Sequence, residues 1–280
     1  MIEIVGGLQI EAAAFRFSWG HRMANGSIAV ADIPLLRYTL RRADDALILG
    51  HRLSEWCGHA PMMEEDMALA NMGLDLIGQA RSLYAYAGEA EAAGRGEDAY
   101  AYLRDIGNYG NLLLLEQPNG DFAYTMVRQF LYSAFIDPYW RAMMECGDAT
   151  LAAIAAKAEK ESAYHVRHSA EWVVRLGDGT PESHQRAQAA VDALWPFTGE
   201  MFEIDAAERA LVGDGIIPDP ERLRQAWRDT VDRVLARATL TVPSEGWMQK
   251  GGRDGHHSEH LGHILSDLQY MQRAFPGATW

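Results

Sequence analysis

From Leu36 onward, apolar residues recur at steps of three and four, and strand-type alternation is nearly absent. Leu36, Leu40, Ala43, Leu47, Gly50, Ser54 and Cys57 mark one stripe of a helix from about Pro34 to Trp56. Pro34 suits a first turn, and Asp32 stands where a cap belongs. After a break at Gly58 and Pro61, a second stripe runs through Leu69, Met72, Leu76, Ala80, Leu83 and Ala87. Its helix opens at Pro61 and carries Glu64, Glu65 and Asp66 in its first turns, where the helix dipole favours them.

The same period continues. A polar loop, EAEAAGRGEDA, leads to a short helix from Ala99 to Ile106. NLLLLEQPNGD breaks at Pro118–Gly120 and opens a helix from Asp121 to about Glu145, with Phe122, Met126, Phe130 and Ala134 on its inner face. Gly147 and Asp148 turn into another, Leu151 to Leu176, on which Ile154, Ala158, Glu161, His165, His168 and Trp172 share one line. Four helices of about 22–26 residues fit an all-α four-helix bundle. Additional C-terminal helices are expected at Pro181–Phe202, Pro220–Thr239 and Ser258–Phe275. Residues 1–33 show no such period and are expected to be a poorly structured extension, with residues 34–280 forming a single helical domain.

A net charge of −14 disfavours nucleic acid and anionic membrane as partners. No apolar run approaches the roughly 18–20 residues that span a bilayer, and the N-terminus lacks the basic start and apolar core of a secretory signal. Cys57 and Cys146 have no metal-type spacing, which suits a reducing cytoplasm.

Ferritin-like di-iron bundles take a carboxylate from each of two helices and a Glu-x-x-His pair from each of the other two. Laid on that template, this chain offers Glu55, then Asp75 followed by Gly78, then Asp121, then Glu161 followed by Tyr164. The four acidic places are filled and both histidines are missing; His165 comes one residue too late, about 100° further round its helix. These positions read as a vestigial metal site, against the plainer reading of ordinary carboxylates on ordinary helices. Without metal, Glu161 needs a neighbour to balance it, and Lys157 and His165, each four residues away, are the local candidates. The pairs His51/Glu55 and Glu161/His165 read as hydrogen bonds along a helix rather than as mixed metal ligands.

The segment GGRDGHHSEHLGH offers a second candidate. His256, His260 and His263 could share a face of the last helix and hold a metal, although the order is not that of a zinc protease. Docking of a helix start on its neighbour is the alternative. Lys250, Gly251, Gly252 and Arg253 lack phosphate-loop spacing. No nucleophile elbow is present.

The motifs LSEWCGHAP, EED-x-ALAN-x-G-LDL-x-GQAR, LLLLEQPNGDFA, WVVRLGDGT and GGRDGHHSEHLG…LQYMQRAFPGATW closely resemble the C subunits (PaaC type) of bacterial phenylacetyl-CoA epoxidases, from about Leu36 to Trp280. The resemblance implies a ferritin-like fold and a non-catalytic structural role in aerobic phenylacetate breakdown. It implies a homologous catalytic A subunit as partner, with the di-iron centre there and phenylacetyl-CoA near the shared interface. Electrons from NADPH would come through a separate flavin and iron–sulfur reductase, leaving no cofactor in this chain. Gly78 and Tyr164 match the places of the catalytic relative's histidines; Glu55, Asp75 and Glu161 match its carboxylates, with Asp121 as a fourth. The partner face is expected to include the second helix around Glu65–Leu76. The alternatives are a ferritin-like di-metal oxygenase in its own right, or a metal-binding protein.

Overall fold

A computed structural model describes residues 27–244 and 246–278. Among them are ten α-helices and no strand. The four long helices are α1 (Pro34–Ser54), α2 (Met63–Glu91), α5 (Phe122–Met143) and α6 (Ala149–Gly177). Between α2 and α5 lie α3 (Glu97–Tyr102) and the single turn α4 (Leu113–Glu116). After α6 come α7 (Pro181–Leu194), α8 (Ala206–Gly213), α9 (Arg224–Arg237) and α10 (Glu259–Ala274). No described helix is long and apolar enough to cross a membrane.

Contacts between the long helices define the topology. Helices α1 and α2 form a hairpin that closes tightly at Gly50 and Gly73: a Cβ on Gly50 would lie 3.2 Å from the Gly73 carbonyl oxygen. Phe122 meets Trp172 edge-on at 5.0 Å while Arg141 reaches Glu159, so α5 and α6 form a second antiparallel hairpin. Trp56 donates to Thr125 at one end, and the Tyr38 and Tyr139 hydroxyls meet at the other, which sets α1 antiparallel to α5. Helix α2 therefore runs parallel to α5, and residues 92–121 form the long crossover of a ferritin-like bundle.

The α2 stripe is buried as the period implied. On α6 the buried line falls one position aside from the expected one. It runs through Leu151, Ala155, Ala158, Ser162, His165, Ser169, Val173 and Gly177. Small side chains there let α5 approach closely, and Ser169 returns its hydroxyl to the His165 carbonyl. Pro196 ends α7 early and turns the chain into two 3₁₀ turns, Trp195–Phe197 and Gly199–Phe202.

Residues 1–26 of the expected extension lie outside the described residues. Residues 27–33 are held in place, contrary to expectation. Ser27 Oγ accepts from the Asp105 amide and the Asn108 side chain, Ile28 N donates to Leu103 O, and Ala31 N donates to Glu91.

Helix α1 is buried without interruption from Tyr38 to Gly50, charged residues included. Its outer side is covered by the crossover and by the loop after α9, and ion pairs join them. Asp44 accepts from Arg104, from the Tyr84 hydroxyl at 2.6 Å and from Gly110 N at 2.8 Å. Asp45 accepts from both terminal nitrogens of Arg253, at 3.0 and 2.8 Å, and from the Leu112 amide, and it pairs with Arg42 at 3.3 Å. Arg41 bonds Asp205 and Glu208, each at 2.9 Å. The loop fits because residue 252 is glycine: a Cβ there would collide with the Asn111 carbonyl oxygen.

Replacing Arg253 with Met removes the bidentate partner of the fully buried Asp45, leaving it Arg42 and the Leu112 amide, and is expected to cost about 3 kcal/mol. Arg222→Met, at an exposed and loose pair with Asp219, should change stability by less than about 0.5 kcal/mol. Urea unfolding of both variants reads the contrast.

Candidate functional site

The expected metal-site residues do not converge. Glu55 caps the C-terminus of α1 and is exposed, held by Arg52 and by the Asn119 amide, each at 2.8 Å. It makes no side-chain bond to His51, whose pKa burial lowers. Asp121 is the N-cap of α5: it accepts from Tyr124 N at 2.9 Å and meets Arg186 at 3.5 Å. Both carboxylates serve helix ends rather than the interior, because the helices stop where the template would continue.

Asp75 and Glu161 lie along the α2–α6 seam. Asp75 Oδ2 is 3.1 Å from His165 Nε2, and Glu161 Oε2 accepts from Gln79 Nε2 at 2.8 Å. Of the two side chains expected to balance Glu161, Lys157 does form an ion pair with it, whereas His165 does not. Gln79 satisfies the carboxylate, Lys157 is exposed with its nitrogen 3.7 Å away, and His165 is engaged by Asp75. The Lys157 Nζ approaches the outer flank of Gly78, 3.8 Å from where a Cβ would stand. Tyr164 is exposed, its ring tilted over His168 at 5.7 Å.

Two further links complete the seam and are not anticipated as pairs by the sequence. His168 Nε2 lies 2.9 Å from Glu65 Oε2, and the Tyr86 hydroxyl donates to Asp148. From one end to the other, α2 meets α6 through Glu65–His168, Asp75–His165, Gln79–Glu161 and Tyr86–Asp148. Each carboxylate is matched to its own donor. Such pairing closes a helix seam; it does not leave oxygen and nitrogen lone pairs aimed at one point.

The interior between the four helices is lined by Leu69, Met72 and Leu76 of α2, Met126 and Phe130 of α5, and Ala155, Ala158 and Ser162 of α6. Its polar groups include Gln129, which donates to Ser133 within α5 at 2.9 Å, and Arg42 of α1, whose guanidinium lies over the Tyr139 ring at 4.9 Å. Among the described residues no group of three or more His, Cys, Asp or Glu could hold a metal ion. A di-iron centre, which needs carboxylates and two histidines converging from four helices, does not fit this donor placement.

His256 in the C-terminal loop and His263 on α10 are exposed, and among the described residues they do not form a metal-holding group with His260. The engaged histidine is the intervening His257. It lies buried with Nδ1 2.9 Å from Glu116 Oε2 and Nε2 2.9 Å from the Tyr109 carbonyl oxygen. Glu116 also accepts from Ser258 N at 2.6 Å, and Glu200 accepts from Leu113 N and Gly251 N, each at 2.9 Å. The GGRDGHH segment is thus a docking device, clamped onto α4 and the crossover. Sequence offers one sign of this: a helix start beside two glycines and an arginine. The Glu116 partner, 141 positions away, leaves no local trace.

A model of the family described as phenylacetic acid catabolic protein matches residues 23–280, so the match begins ahead of Leu36. The chain belongs to that family. It is similar to the C subunit of the 1,2-phenylacetyl-CoA epoxidase of Escherichia coli (strain K12), at 50% identity over 247 residues, covering 88% of this chain and 99% of the relative.

Burial alone would lower the His257 pKa, but the hydrogen bonds to Glu116 and Tyr109 and the nearby carboxylates outweigh it and raise the value. With the folded-state pKa raised, this stabilisation is complete below the ordinary imidazole pKa and is lost as pH rises through the raised one. The unfolding free energy of the parent minus that of His257→Gln should be largest near about pH 5.5 and smallest above about pH 8. A difference that stays flat over that range would show that His257 does not change charge on folding.

Proposed function

We propose that this chain is the C subunit of a 1,2-phenylacetyl-CoA epoxidase and acts in phenylacetate catabolism as a non-catalytic subunit that stabilises the catalytic one. The observation that carries this reading is the fate of the carboxylates. A ferritin-like frame is kept, yet Glu55 and Asp121 cap helices while Asp75 and Glu161 are tied into a helix seam. A bundle that had to hold two metals would aim those groups inward.

The partner in this reading is a homologous A subunit that carries the di-iron centre, with phenylacetyl-CoA bound near the shared interface. NADPH electrons reach it through a separate reductase with flavin and iron–sulfur groups. The chain's part in the reaction is mechanical: it holds the partner's helices and contributes no group to the reacting atoms. The free thiols of Cys57 and Cys146 are compatible with a reducing cytoplasm as the site of action.

Iron content tests the proposal. The purified chain should carry little iron alone, and the complex co-expressed with the A subunit about two irons per heterodimer. Glu161→Ala in this chain should leave the iron content of the complex unchanged. Two irons on the isolated chain, lost in Glu161→Ala, would overturn the reading and restore a di-metal oxygenase.

A further inference from the structure

Between the two 3₁₀ turns that follow α7 and the start of α9 lies a cavity of about 360 Å³, within the range of pockets that hold small ligands. Its floor is aromatic. Trp195, Phe202 and Trp227 are all buried, and the rings of Phe202 and Trp195 lie 5.4 and 5.6 Å from that of Trp227. One wall is Met248, which packs against the backbone of Gly199: a Cβ there would stand 2.9 Å from Met248 Cγ. The loop carrying Met248 is pinned on both sides, by Thr241 N donating to Gln188 and Gln249 N donating to Pro196 O, each at 2.7 Å.

Two arginines line the cavity over that floor. Arg224 lies over the Phe202 ring at 4.4 Å and Arg228 over the Trp195 ring at 5.2 Å. Four residues apart, they share one face of α9. Their ion pairs leave them incompletely satisfied. Glu221 takes Nε and one terminal nitrogen of Arg224, each at 2.7 Å, whereas Asp232 takes only Nε of Arg228. The other terminal nitrogen of Arg224 and both of Arg228 have no acceptor among the described residues. The buried Nε1 of Trp195 has none either, whereas Trp227 Nε1 donates to the Leu131 carbonyl at 3.0 Å. A buried indole N–H normally finds a partner. Among the described residues no carboxylate lines this cavity, in a chain of net charge −14.

We infer that the cavity is a binding site for a small aromatic carboxylate. An arginine stacked on a ring is held in one plane, so its free N–H groups form a fork ready for a carboxylate. The ring of the ligand lies against Met248 and the aromatic floor. With arginine already over a face of Trp195 and of Phe202, the floor offers edge-to-face contact, which aromatic groups favour, and the thioether adapts to the ring beside it. An inorganic anion would leave the apolar part of the cavity unfilled, and an uncharged arene would leave the arginine nitrogens without an acceptor. None of the lining residues belongs to α1, α2, α5 or α6, so the inference is independent of the proposed role of the chain.

Saturation-transfer NMR and calorimetry on the purified full chain test it, with phenylacetate as the probe. Phenylacetate should bind with a dissociation constant of about 0.1–1 mM. Cyclohexylacetate, of similar charge and bulk but without the aromatic ring, should bind several-fold more weakly, and acetate and inorganic phosphate should show no binding at about 10 mM. Arg224→Gln and Arg228→Gln should each weaken phenylacetate about tenfold, and the double variant should lose it. Arg222→Gln, at an exposed side chain outside the cavity, should bind as the parent does. Melting curves check that each variant folds. In ¹H–¹⁵N spectra the indole signal of Trp195, assigned through Trp195→Phe, should move on titration. That of Trp140, whose Nε1 is also buried without a partner but outside the cavity, should stay.

Equal binding of acetate, phosphate or cyclohexylacetate would overturn the aromatic carboxylate as the ligand class. No saturation transfer to phenylacetate at about 10 mM, or undiminished binding in the double arginine variant, would overturn the site itself.

Discussion

The bidentate pair between Asp45 and Arg253 is the constraint on which most of the architecture depends. Asp45 is fully buried in the middle of α1, and Arg253 arrives from a loop 208 positions later. Arg42 on the same helix lies 3.3 Å from this carboxylate but makes only one contact, so docking of the C-terminal loop adds the bidentate partner that favours α1 at the centre of the molecule. Asp44 and Arg104 make the same demand of the crossover. Together the two acids turn α1 from a surface helix into one enclosed on every side. They also explain why helices beyond the four-helix bundle are part of its core rather than ornaments on it.

The seam between α2 and α6 follows a different logic. Within each hairpin the helices approach through glycine, alanine and serine, whereas the hairpins meet on this side through four polar pairs. Pairs of this kind give register more than energy, since a shift of one turn would break all four at once. The interior left behind is packed by Leu69, Met72, Met126 and Phe130 against Ala155 and Ala158.

Much of the frame is legible in the sequence because long apolar periods have few alternative solutions. The α2 stripe from Leu69 to Ala87 is such a case, and so is the hairpin break at Gly58 and Pro61. The α6 register is misread from sequence because Ser162 and Ser169 look solvent-facing, while Glu161 and His168 look like an inner line. Only the neighbouring helix reveals that the small residues are the buried ones. Spacing alone draws Glu55 and Asp121 into a site, although an acid just before a helix, as Asp121 is, commonly caps it. His257 is easily passed over between His256 and His260, because its partner, Glu116, lies on a four-residue helix with no periodic signature of its own.

Helix α2 opens on a row of exposed methionines. A thioether facing solvent is open to oxidation, and the sulfoxide it forms is polar and no longer fits an apolar contact. A covered helix face is shielded from that reaction; a bare one accumulates damage with time. For the exposed Met62, Met63 and Met67, oxidation would turn an apolar surface polar while leaving the buried stripe of the same helix untouched.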